Sequence, residues 1–119
     1  MSKSATEYIN HILDELLFLE QEMNTITEEQ FMRDEVLERA SARSLEIIGE
    51  AVKQIQESYR KEHPEIEWKS FAGLRDKLIH HYFGVDYALV WDVIKNELPE
   101  LKNKLTKIKE QEISSTQTK

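Results

Sequence analysis

Apolar residues recur every three to four positions along the first segment of the chain, which predicts an amphipathic helix. The stripe consists of Ile9, Ile12, Leu13, Leu16, Leu19 and Met23. Ser4 and Glu7 stand before it at the spacing of a capping box, in which the hydroxyl accepts from a backbone N–H and the carboxylate reaches back. A helix is therefore expected to begin just after Ser4.

A longer helical pattern follows Thr27 and Gln30, which repeat the capping signal. Its apolar positions are Phe31, Val36, Leu37, Ala40, Leu45, Ile48, Ala51, Val52, Ile55 and Tyr59. We expect a break near Arg33 and an end before Pro64. Gly49 lies in the interior, where glycine costs about 1 kcal/mol relative to alanine. Close approach of another helix explains such a glycine, either near a subunit interface or within the core of one chain.

The second half of the chain predicts three further helices. The third runs from Trp68 to Phe83 and is stopped by Gly84, which can adopt the positive φ of a helix end. Asp86 then caps the fourth helix, and Pro99 suits the first turn of the fifth. The pattern as a whole predicts an all-α protein, an antiparallel bundle of about five helices. We expect one domain over residues 1–113 and a frayed tail over residues 114–119.

Composition narrows the classes of protein that this pattern could represent. The 119 residues include three glycines, two prolines and no cysteine, so disulfides and thiolate sites are excluded and sheet is not expected. Neither a signal peptide nor a membrane span is visible, which favours the cytoplasm. The net charge of −7 argues against a broad basic face for nucleic acid. Any contact with RNA must therefore be local.

The stretch GLRDKLIHHYFGVD, residues 73–86, concentrates the candidate chemistry. On a continuous helix Arg75 falls on the apolar stripe, about 40° from Phe71 and about 20° from Tyr82. A guanidinium there keeps its charge and needs an acceptor, either a carboxylate of the folded chain or a phosphate at a working site. His80 falls on the side of Asp76, which could orient its imidazole.

Structural explanations exist for each of these residues taken singly. Arg75 could pair with Glu46 or Glu50, His80 and His81 could be helix-end residues favoured by the macrodipole, and Tyr82 could be core. Adjacent histidines point about 100° apart on a helix and make a poor metal pair, so no metal site is predicted. Arginine and histidine together suffice for metal-free RNA cleavage, because histidine moves protons while arginine stabilises phosphate charge.

The segment RDKLIHHY matches R-x4-H-x-Y, and the chain here resembles the HEPN ribonucleases, the HepT toxin family in particular. The similarity extends through RSLEIIGEAVK and through WKSFAGLRDKLIHHYFGVDYALVWDVIKNELPEL. The resemblance implies a HEPN-like homodimer whose two motifs form a composite ribonuclease site without a cofactor. Arg75 and His80 would be catalytic, and Asp76 and His81 auxiliary.

The same resemblance implies a partner and a covalent modification. HepT proteins are toxins that usually stand beside MntA, a minimal nucleotidyltransferase antitoxin that transfers AMP from ATP to the motif tyrosine. Tyr82 would be that acceptor, with Tyr87 as a competing hydroxyl, and RNA, with tRNA as a candidate, would be the substrate. The alternative reading is a non-catalytic helical module that docks a nucleotidyltransferase and helps to bind nucleotide. A plain dimerisation bundle would leave Arg75 unexplained.

Overall fold

The computed structural model describes the backbone of residues 4–80 and 84–117 and the side chains of residues 4–79 and 84–113. In this part of the chain the helices are α1 (Ala5–Met23), α2 (Glu28–Arg33), α3 (Glu35–Gln54), α4 (Glu57–Glu62), α5 (Trp68–Ala72), α6 (Leu74–Leu78), α7 (Tyr87–Asp92) and α8 (Leu98–Gln117). A π-helical segment, Val93–Glu97, joins α7 to α8, and two short strands are β1 (Ile79–His80) and β2 (Gly84–Val85).

The prediction of an all-α fold is confirmed, and the core forms where the apolar stripes meet. Helix α1 packs most extensively on α3, which also contacts α5, α6 and α7. Two contacts show that α1 and α8 run antiparallel. Thr6 donates to Glu112 at 3.3 Å at one end of α1, and Lys102 pairs with Glu20 at 2.7 Å at the other. No helix in the described residues is long and apolar enough to cross a membrane.

The helix starts agree with the capping signals of the sequence. The Ser4 hydroxyl accepts from the Glu7 N–H at 3.3 Å, and Thr27 and Gln30 form both hydrogen bonds of a capping box. The expected break near Arg33 occurs at Asp34, whose carboxylate caps α3. These local signals were sufficient because each cap is made by a side chain within three residues of the N–H that it satisfies.

Two predicted helices are shorter than expected. The second pattern breaks again at Ile55, which is buried in an extended conformation (φ −71°, ψ 130°), so α4 is separate from α3. The predicted helix from Trp68 to Phe83 is wrong: it is interrupted at Gly73 and ends at Leu78, after which the chain enters β1. By contrast, the predicted fourth and fifth helices run into each other through the π-helical segment, with Pro99 in the first turn of α8.

Gly49 allows the close approach that its position in the sequence implied, and the contact is within the chain. A Cβ at this position would lie 3.1 Å from the carbonyl oxygen of Phe71 and 3.7 Å from that of Ala72. The end of α5 therefore rests directly on α3. The next helix, α6, carries Arg75, so this contact fixes where the motif begins.

The end of the chain is described as helix as far as Gln117. The expected fraying of residues 114–119 stays a prediction, as does the division of the chain into a domain over 1–113 and a tail.

Candidate active site

Helix α6 is held to the core by two leucines and presents Arg75 to solvent. Leu74 and Leu78 are 1% and 2% exposed, whereas Arg75 is exposed. The expectation that Arg75 lies on the buried stripe is therefore wrong for the single chain. That expectation used the angles between Arg75 and the residues Phe71 and Tyr82 on one continuous helix. Those angles do not apply, because the helix is interrupted at Gly73 and ends at Leu78.

The guanidinium of Arg75 has no hydrogen-bond or ion-pair partner among the described residues. The two glutamates considered as its partners are engaged elsewhere: Glu46 lies 3.8 Å from Arg43 and Glu50 lies 3.5 Å from Lys53. A charge that cannot be lost and is not neutralised by a carboxylate is available to an external anion.

The helix ends in a tight hairpin that determines the path of the motif. The Ile79 N–H donates to the Arg75 carbonyl and closes α6. Ile79 then pairs with Val85, and His80 with Gly84, as an antiparallel pair of strands. Just beyond this pair the Asp86 N–H donates to the Leu78 carbonyl at 2.8 Å. The backbone of His80 therefore lies in a strand directly after the helix that carries Arg75.

Gly84 makes this hairpin possible. Its φ of +72° lies in the left-handed region, which residues with a side chain rarely adopt. The sequence analysis also expected a positive φ at Gly84, but placed the residue at the end of a helix. It is a strand residue opposite His80.

The far side of the hairpin is anchored to the rest of the protein. Val85 and Tyr87 are half-buried and pack against the core, and the Asp86 carboxylate caps α7 by accepting from the Leu89 N–H at 3.1 Å. The predicted cap at Asp86 is thus confirmed. Lys77 adds a link from α6 to the π-helical segment through Glu97, at 3.4 Å.

The remaining residues of the motif are described in part. Asp76 is exposed beside Arg75 and has no described partner. For His80 the backbone is described and the side chain is not, while His81 and Tyr82 lie outside the described residues. Arg75 thus lies in the first turn of α6 and the backbone of His80 lies in the strand that follows α6, and the roles assigned to His80, His81 and Tyr82 stay predictions. The described side chains contain no cluster of three or more potential metal ligands.

Among the residues whose side chains are described, the titratable groups with shifted pKa values lie away from this motif. Burial, then Glu35 and Asp34, raise the pKa of Glu38 above its ordinary value near 4.5. Burial also raises the pKa of Tyr59, together with its hydrogen bond to Glu112. Glu38 lies on α3 beside two like charges, and Tyr59 links α4 to α8.

A cavity between α4 and α5 contains cations that the sequence analysis did not identify. It has a volume of about 610 Å³, and Arg60 and Lys69 are among its lining residues. The residues come from separate helices and form no sequence motif. Their proximity depends on the path of the loop between α4 and α5, which helical periodicity does not predict.

Comparisons with known proteins place the chain among ribonuclease relatives. The family model described as "Ribonuclease HepT-like" matches residues 8–108. A protein of Caldanaerobacter subterraneus subsp. tengcongensis, named as a candidate RNase, is 47% identical over 92% of this chain and 98% of its own length. The "Probable ribonuclease HepT" of Thermococcus cleftensis is 40% identical over 92% of this chain and 99% of its own length. No solved structure matches.

Proposed function

Because the chain belongs to the HepT-like ribonuclease family, we propose that it is a toxin-type, metal-independent endoribonuclease that uses Arg75 and His80. The observation that carries this proposal is the exposed, unneutralised guanidinium of Arg75 in the first turn of α6. His80 follows five residues later, in the strand that begins directly after α6. A fixed positive charge beside a group that titrates near neutral pH is the minimum that phosphodiester transfer requires.

The proposed reaction is an intramolecular transfer at the scissile phosphate. The ribose 2′-oxygen forms a bond to phosphorus as its proton leaves to a base, and the bond from phosphorus to the 5′-oxygen breaks. The leaving oxygen takes up a proton, so the products are a 2′,3′-cyclic phosphate and a 5′-hydroxyl. His80 moves one of these protons, and Arg75 stabilises the negative charge on the non-bridging oxygens.

Assembly and regulation complete the proposal. Two copies of the chain form a homodimer in which both motifs contribute to one cleft, which provides two histidines for the two proton transfers. A partner nucleotidyltransferase of the MntA type neutralises the toxin. The Tyr82 hydroxyl attacks the α-phosphorus of ATP, pyrophosphate leaves and the phenolic proton is released, so that AMP occupies the cleft.

The test is cleavage of total RNA and tRNA in excess EDTA by wild type, Arg75→Ala and His80→Ala. Wild type should produce fragments ending in 2′,3′-cyclic phosphate, and either substitution should lower the rate by at least about a hundredfold, the size expected for one acid–base or charge-stabilising group. Lys107→Ala, a change at an exposed lysine of α8, is the matched control and should cleave like wild type.

Three outcomes decide between the readings. Loss of cleavage in EDTA would refute metal independence, and full activity of folded His80→Ala would refute the assigned site. A wild-type protein that carries no AMP by intact mass, cleaves no RNA, yet binds a nucleotidyltransferase would favour the docking module.

Treatment with the partner and ATP should add AMP to the peptide containing Tyr82, and addition at Tyr87 instead would refute the assigned acceptor.

A further inference from the structure

The distribution of neutralised charge indicates where this acidic protein can meet a polyanion. Most described lysines and arginines lie within 4 Å of a carboxylate, and Lys95 instead donates to the Met23 carbonyl at 2.7 Å. Within residues 4–79 and 84–113, the cations with neither kind of partner are Arg60, Lys69, Arg75, Lys107 and Lys109. The first three belong to the consecutive helices α4, α5 and α6, and the other two to α8.

Arg60 and Lys69 share the cavity between α4 and α5. The cavity, of about 610 Å³, is within the range of small-ligand sites and is open to solvent. The Nε of Arg60 is buried and has no partner among the described residues, so it is a donor in need of an acceptor. Lys61 and Glu57 also line the cavity but pair with each other at 3.5 Å, which leaves Glu67 as the opposing charge.

The inner wall of the cavity is apolar and rigid. Ile66 and Trp68 line it, and they are 3% and 6% exposed. The indole N–H of Trp68 donates to the carbonyls of Arg60 and His63, at 3.1 and 2.9 Å. These two bonds tie the loop to α5 and hold the wall in place. An apolar wall beside unneutralised cations suits a ligand that has a flat face and a phosphate.

The helix that lines the cavity is joined by backbone hydrogen bonds to the helix that carries Arg75. The Gly73 N–H donates to the Lys69 carbonyl and the Lys77 N–H donates to the Gly73 carbonyl, both at 3.1 Å, so hydrogen bonding continues from α5 into α6. Lys69 and Arg75 are six residues apart on these two consecutive helices, so their Cα atoms are separated by no more than about 22 Å. A short single-stranded segment whose scissile phosphate meets Arg75 can therefore reach Lys69.

We propose that this cavity binds the single-stranded RNA flanking the cleaved bond, with Lys69 and Arg60 contacting its phosphates and a base lying against Ile66 and Trp68. This inference rests on the proposed ribonuclease function and deepens it. It explains how a chain of net charge −7 retains an RNA substrate: the few cations left without carboxylates along α4 to α6 form a local path that ends at the catalytic arginine.

Binding without cleavage tests the cavity. His80→Ala protein is titrated with a single-stranded RNA oligonucleotide that wild type cleaves, at several salt concentrations, alone and combined with Lys69→Ala or Lys107→Ala. Both added changes remove one exposed, unpaired lysine from a helix and leave a good helix former. Lys69→Ala should weaken binding and reduce the slope of log K against log salt by about 0.7, one single-strand phosphate contact. Lys107→Ala should leave the slope unchanged.

The outcomes separate the cavity from the activity. Equal affinities and slopes for the two combined variants, with wild type still cleaving RNA, would overturn the cavity and leave the ribonuclease intact. If wild type cleaves no RNA and His80→Ala protein binds no single-stranded RNA oligonucleotide, both proposals fail. Arg60→Lys keeps the charge but removes the buried Nε, and it should weaken binding more than Lys107→Ala does. Unchanged binding would remove Arg60 from the site.

Discussion

At the scale of single residues, two glycines of the same region have opposite packing environments. A Cβ on Gly49 would stand 3.1 Å from a backbone carbonyl of α5, whereas a Cβ on Gly73 would be no closer than 3.4 Å to its nearest neighbour. Gly73 also has φ −89° and ψ 7°, which residues with side chains adopt. The first glycine is required by packing and the second is not.

Substitution of these glycines should therefore have different effects. Gly49→Val should lower the free energy of unfolding by about 1–3 kcal/mol, the usual cost of overpacking. Gly73→Ala should be neutral or stabilise by up to about 1 kcal/mol, because alanine can adopt the backbone angles of Gly73 and restricts the unfolded chain. Urea midpoints measure both. Equal midpoints for the two variants would contradict the close contact of α3 and α5.

A second residue-scale prediction concerns Glu38, whose pKa is raised by burial and by the nearby Glu35 and Asp34. The folded state holds this proton more tightly than the unfolded state, so stability is lost as pH rises through the folded pKa. Glu38→Gln should therefore be more stable than wild type at pH 7, with the difference narrowing toward pH 4. Urea titrations at both values test this. A difference that is the same at both would indicate packing instead of charge.

At the scale of elements, the hairpin of β1 and β2 positions the backbone of His80 directly after α6, the helix that carries Arg75. Its strands are two residues each and are closed by the bond from the Asp86 N–H to the Leu78 carbonyl. No described atom lies within 4 Å of the position of a Cβ on Gly84, so the cost that the described structure assigns to a side chain there is backbone strain. The hairpin can therefore be perturbed without disturbing the core.

Gly84→Val should cost about 1–2 kcal/mol, the penalty for a residue with a side chain in the left-handed region. Gly84→Asn should cost less, since asparagine tolerates that conformation better. RNA cleavage should fall in the same order, because Gly84 pairs with His80 across the strands. Stability and cleavage rate are measured for both variants. Equal losses of stability and cleavage for Gly84→Asn and Gly84→Val would show that any side chain at this position interferes, and that the backbone angle is not the cause.

Sequence reasoning predicted the elements whose ends are decided locally and missed those decided by tertiary contacts. The caps at Thr27 and Asp86 were predictable because each uses a side chain to satisfy a nearby N–H. The end of α6 was not, because Ile79 leaves the helix to pair with Val85 six residues later. A helical wheel that runs on across Gly73 and beyond Leu78 therefore misplaced Arg75. The cavity of Arg60 and Lys69 was missed for the same reason: helix periodicity does not report contacts between helices.

At the scale of the whole molecule, the single chain presents half of the proposed site. Arg75 is exposed without a described partner, and the proposed chemistry needs two proton transfers, of which His80 of one chain performs one. A homodimer supplies the second set by symmetry, since a two-fold axis brings the same surface of both copies together.

Mixing two inactive variants tests this assembly. Arg75→Ala and His80→Ala proteins, unfolded together and refolded, should form mixed dimers that cleave RNA, because each subunit supplies the residue that the other lacks. Each variant refolded alone should remain inactive. If the mixture cleaves no better than its components while mixed dimers are present by native mass, then one chain must supply Arg75 and His80 to the same phosphate.

The Trp68 indole, which two hydrogen bonds hold in place, can serve as an intrinsic fluorescent probe of the cavity. The chain has two tryptophans: Trp68, which lines the cavity, and Trp91, which packs on Phe31 with a ring-centroid separation of 5.4 Å. In a Trp91→Phe protein the remaining emission comes from an indole whose orientation is held by two carbonyls. Occupation of the cavity then changes the fluorescence of a rigid chromophore, so the encounter with an oligonucleotide can be followed in real time without a label.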